Sequence, residues 1–175
     1  SQDPVPQDQF YRLQTSPAAA TPGNSTRQGS IEVGRFFADG VTSGRAIVFS
    51  QANRPNQLQP YHYHFWTEPP PILLQNRLVE YLRSARVATR VVTPELRIEP
   101  DFVVTGRIQK FEQLRGNPGS VVAELELSLK ETRTERLVHH QIYKVVSDTR
   151  SETPAAAVSA LGQAIGRIFQ SFVMD

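Results

Sequence analysis

The sequence has no cysteine, which excludes disulfides, a thiol nucleophile and zinc held on thiolate. It has no apolar run near the roughly 18 residues that a membrane-spanning helix requires. It also lacks a block of one charge. The 19 Lys and Arg are interspersed with 17 Asp and Glu for a formal net charge of +2, so nothing tracks a phosphate backbone and no nucleic-acid partner is expected. Catalytic signatures are missing too. There is no HExxH and no G-x-S-x-G, and Gly44 and Gly106 stand alone, without phosphate-loop spacing. No enzyme activity and no cofactor is expected.

What is present begins with a polar stretch. Residues 1–29 are rich in Gln, Pro, Ala, Ser and Thr and show no sustained period, so they bury too little surface to offset ordering entropy. They are expected to form a flexible N-terminal tether ahead of a single α+β domain over residues 30–175. Phe10-Tyr11-Arg12-Leu13 is the exception, a short apolar patch able to add a strand or dock on the body.

From Ser30 the pattern is ordered. Ile31 to Phe37 and Ala46 to Ser50 read as short strands, and Gln59 to Trp66 as a third, with Tyr61, Tyr63 and Phe65 on one face and His62, His64 and Trp66 on the other. Pro69, Pro70 and Pro71 lack N–H donors, so they end that strand and suit the first turn of a helix. The helix expected over 72–85 sets Leu74, Leu78, Tyr81, Leu82 and Ala85 on one stripe, with Gln75, Arg83 and Arg86 facing away. Val87 to Val92 reads as a strand.

Three longer strands follow, near 102–109, 121–130 and 137–146. In the second, Val121, Ala123, Leu125, Leu127 and Leu129 alternate with Val122, Glu124, Glu126, Ser128 and Lys130, which gives one dry and one wet face. A final helix over 153–173, capped by Ser151 or Thr153, carries Val158, Leu161, Ile165, Ile168, Phe169 and Phe172 on its apolar stripe. The fold class expected is α+β, a largely antiparallel sheet with two amphipathic helices packed on one face.

Histidine supplies the only candidate metal ligands. His62 and His64 stand two apart on one strand and could share an ion, whereas the adjacent His139 and His140 could give one ligand at most. A catalytic zinc needs a third N or O ligand, and no suitable carboxylate lies beside either pair. The simpler reading makes His62 and His64 amphipathic surface residues, and no metal is expected. Glu124 and Glu126 share a face as a carboxylate pair would, yet their regular alternation with Val and Leu marks a solvated strand face. Tyr61, Tyr63, Phe65 and Trp66 either pack beneath the first helix or, where they face outward, form a contact patch.

A set of short pieces in order is similar to a known family. Phe10-Tyr11-Arg12-Leu13, Ile31-Glu32-Val33 and Arg45-Ala46-Ile47-Val48-Phe49 come first. Phe65-Trp66-Thr67-Glu68-Pro69-Pro70 leads into the Leu-rich helix, then come Asp101 to Ile108 with Phe111-Glu112, and an alanine-rich last helix. Together they resemble the auxiliary lipoprotein component of ABC-type transport systems, of the paraquat-inducible protein C type, over nearly the whole chain. The resemblance implies a Gram-negative periplasmic protein held by an acylated N-terminal cysteine to a membrane, expected to be the inner leaflet of the outer membrane. Its implied partners are an MCE-domain protein and a permease that move lipids between the two membranes. This sequence departs from the pattern in having no such cysteine, and Ser1 is expected to follow closely after it.

Under that resemblance the chain docks or aligns the MCE partner, with Tyr61, Tyr63, Trp66 and Glu68 as candidate partner-binding residues. Ring-like or other homo-oligomerisation is a further expectation, because a tubular partner calls for a cyclic acceptor. Two other functions fit a small α+β lipoprotein. One is a periplasmic chaperone holding an acyl chain between sheet and helices. The other is an outer-membrane assembly factor that steadies a β-barrel.

Overall fold

The computed structural model describes residues 3–18, 27–116 and 118–175. Eight strands form one sheet: β1 (Gln9–Tyr11), β2 (Arg27–Val33), β3 (Ala46–Gln51), β4 (Arg54–Trp66), β5 (Ala88–Val92), β6 (Phe102–Arg115), β7 (Ser120–Glu131) and β8 (Arg136–Asp148). Helices α1 (Pro70–Ala85) and α2 (Pro154–Met174) supply the second layer. Of the expected tether, residues 1–2 and 19–26 lie outside the described residues, as does Asn117 in the turn before β7. The Phe10–Leu13 patch enters the body: β1 pairs with the end of β4, and Leu13 is fully buried.

The sheet is mixed, which corrects the expectation of a largely antiparallel one. β6–β7, β7–β8 and β3–β4 are antiparallel, but β1–β4, β2–β5, β2–β6 and β3–β6 are parallel. Alternation along a strand reports which face is covered and carries no information about a neighbour's direction. Direction is decided by the connections, and β2 can run parallel to β5 because the chain between them is long, passing through β3, β4 and α1.

β6 is the axis of the sheet. One edge pairs with β7 from Phe102 to Leu114. The other is shared: β2 takes Phe102–Val104, a single bridge joins Phe37 to Arg107, and β3 takes Gln113–Arg115. Gly106 makes the crossing between the two halves feasible. The Phe36 ring lies so close that a Cβ there would sit 2.7 Å from it. The otherwise isolated glycine is thus a slot for a side chain that is 2% exposed.

Both helices pack on the same face of the sheet in one core that takes in Leu74 and Leu78 of α1, Leu161 and Ile165 of α2, and Leu125 and Leu127 of β7. Tyr81 and Phe169 meet across the helices at 5.7 Å between ring centroids. Pro70 and Pro71 occupy the first turn of α1, where a missing N–H removes no intrahelical bond. Thr153 caps α2 by accepting from the Ala156 amide at 3.2 Å. Gln75 does not face solvent as its place opposite the leucines suggests. It is buried, and its Nε2 donates to the Val33 carbonyl at 3.0 Å, tying α1 to β2.

Candidate interaction surface

The candidate surface lies where β1 and β4 meet. Strict alternation fails along β4, because its register against β3 slips twice: Gln51 faces Arg54, Phe49 faces Gln59, and Ala46 faces Phe65. Thirteen residues of β4 thus accompany six of β3, and the surplus is bulged. Side chains that simple alternation would separate are brought together. Tyr61 and His64 meet edge to face at 5.4 Å, and His64 Nδ1 lies 3.0 Å from the Tyr11 hydroxyl.

The four candidate residues divide by depth. Trp66 is 1% exposed and stacks on Phe111 at 5.1 Å, so its ring belongs to the core. Tyr61 is half-buried, packs on Phe49 at 4.5 Å and donates its hydroxyl to Gln113 Oε1. Gln113 Nε2 in turn donates to the Glu152 carbonyl at 3.0 Å, so Tyr61 is linked through β6 to the entry of α2. Burial raises the Tyr61 phenol above its ordinary range, only partly opposed by the Arg115 guanidinium. Tyr63 and Glu68 are exposed.

Two residues outside the four partner-binding candidates join the patch. Phe10 is 54% exposed, stacks on Phe65 at 5.7 Å, and carries the Arg45 guanidinium 5.2 Å from its ring centre. Phe10 was visible as part of an apolar patch, but nothing in the sequence places Arg45, which arrives from the turn before β3, against it. The result is an exposed set of Phe10, Arg45, His62, Tyr63 and Glu68 around the β1–β4 junction, beside the more deeply placed Tyr61, Phe65 and Trp66.

The histidines are placed separately. His62 lies beside Tyr63, and His64 is drawn onto Tyr11 and Tyr61. His140 faces Glu126 at 3.4 Å on the open face of the sheet, while His139 turns inward to Tyr143 at 2.9 Å. Among the described residues no group of three or more His, Asp or Glu could hold a metal ion. Nor, among them, is any helix long and apolar enough to cross a membrane.

Known structures share this fold. A crystal structure of a Xanthomonas campestris protein superposes with a TM-score of 0.83 at 18% identity, covering 94% of this chain and 92% of that one. A Chlamydia trachomatis protein gives 0.57 at 12% identity over 84% and 94%. A PelC dodecamer from Paraburkholderia phytofirmans gives 0.52 at 15% identity over 87% and 93%. No curated protein matches the sequence. A family model does match it, over residues 11–172, from the second residue of the Phe10–Leu13 patch to the last buried aromatic of α2. The chain belongs to the family of ABC-type transport auxiliary lipoprotein components.

Proposed function

We propose that the chain is a non-enzymatic accessory lipoprotein of an ABC/MCE-type intermembrane lipid transport system, docking or aligning the MCE-domain partner beside its permease. The observation that carries this reading, beyond family membership, is the β1–β4 surface. It presents an exposed Phe and Tyr and an Arg, residue types enriched at protein contacts, beside an exposed Glu and over a half-buried aromatic layer. Tyr63 and Glu68 touch the partner, and Tyr61 and Trp66 hold them in place from below. The residues ahead of β1 act as a spacer from a lipid anchor in the inner leaflet of the outer membrane, leaving the body in the periplasm.

The test uses the full-length tagged precursor with a photo-crosslinking residue at position 63 or 68, or at 90 on the other parallel edge as a control. Crosslinks to an MCE protein from 63 and 68 and not from 90 are expected, with an acylated cysteine ahead of Ser1 by mass spectrometry. Crosslinks to a β-barrel, or to nothing, overturn the reading.

Self-association belongs to the same proposal. Among the described residues β8 pairs only with β7, and it exposes Leu137, Ile142 and Val146 at 57%, 52% and 56%. A long edge strand with apolar side chains is a template for pairing, and the PelC relative in fold is a dodecamer. Sedimentation is expected to show an assembly that Ile142→Glu with Val146→Glu dissociates. A strictly monomeric profile at high concentration removes this part.

A further inference from the structure

A half-open cavity of about 280 Å³ lies between the C-terminal ends of both helices and the sheet. Leu82 and Val87 close it on one side, Phe172 and Val173 on another, and Val104 and Leu129 form its floor. An apolar void of about 150 Å³ stays dry and admits benzene, so this one has room for a chain on the order of ten carbons. Its mouth is polar in a specific way. The Tyr143 hydroxyl donates to Asp175 Oδ2 at 2.6 Å. That uses its only hydrogen, so His139 Nε2, 2.9 Å from the same oxygen, must donate to it. Both donors of the cluster are therefore committed inward. The Asp175 side chain is 38% exposed and, as a carboxylate, retains acceptor capacity beyond one bond.

We propose that this cavity is a binding site for a single-chain aliphatic amphiphile whose head donates hydrogen bonds, an alcohol or a primary ammonium, to Asp175. A carboxylate head is rejected, because it would meet Asp175 with like charge and no free donor. The site lies away from the β1–β4 surface and stands or falls independently of the transport role.

Calorimetric titration with 1-decanol, decylamine and sodium decanoate, each kept below its solubility or aggregation limit, tests the assignment. One-to-one binding of the first two is expected, with decanoate at least tenfold weaker. Asp175→Asn should bring decylamine and decanoate within about threefold of each other. Val138→Trp should weaken all binding at least tenfold. Val138 lines the cavity as the extra residue of a bulge, and at 37% exposure it tolerates replacement without loss of the fold. Absence of binding by all three probes, equal binding of decanoate, or full affinity in Val138→Trp would each overturn the proposal.

Discussion

The carbonyl oxygen of Gln14 occupies the place where a side chain on Gly162 would begin. The segment after β1 thus crosses α2 in backbone contact, with Leu13 fully buried beside the crossing. In an ordinary helix interior, replacing Gly by Ala stabilises by about 0.8–1 kcal/mol. Here Gly162→Ala is expected to do the reverse, lowering the melting temperature and speeding proteolysis between residues 13 and 17. A variant that melts higher than the parent, with unchanged cleavage, would show that the segment is not seated on α2.

The contrast between Gly162 and the rest of α2 shows what the sequence could reveal. The apolar stripe of α2, the alternation of β7 and the proline-led start of α1 are periodic or chemical signals local to one element, and the elements appear where those signals place them. Neighbours in space are another matter. That Gly162 admits the Gln14 carbonyl, that Gly106 admits Phe36 and that Gln75 reaches the Val33 carbonyl are all facts about pairs distant in sequence. The direction of strands is of the same kind, which is why the parallel pairs of β6 were not foreseen. At the candidate surface, Tyr61 and His64 come together although alternation would part them, because β4 bulges, and a bulge leaves no periodic trace.

Trp66 is the only tryptophan in the chain, so the stack on Phe111 can be observed directly. The native protein is expected to emit at short wavelength and resist quenching by acrylamide, both features being lost on unfolding. Trp66→Ala should destabilise by about 3–5 kcal/mol, as for other large buried aromatics. Strong quenching in the native state would place the ring at the surface instead.

Phe36 and Gly106 form a coupled pair. Gly106→Ala alone should destabilise by displacing the Phe36 ring from β6, and Phe36→Ala alone by leaving a hole. With Phe36 already truncated, the three closest contacts of an alanine at 106 are gone and its effect should shrink. Coupling on the order of 0.5–3 kcal/mol is expected from denaturant melts of the four-member cycle. Strict additivity would mean that the ring and the strand do not touch.

Glu112 gives the pH dependence. Its side chain is 6% exposed on β6. Burial raises its carboxyl above the ordinary range; Lys110 pulls partly the other way, and Glu124 adds to the rise. The folded state therefore binds its proton more tightly than the unfolded chain does. Stability from this group is complete below the ordinary glutamate range and falls as the pH climbs through the raised value. Glutamine keeps the shape and never ionises. The melting temperature of Glu112→Gln relative to the parent should therefore rise as the pH climbs from 4 and level off once the raised value is passed. A difference that stays flat across that range would mean that Glu112 reaches water in the native state, and a difference that falls would mean that its carboxylate is held by a cation.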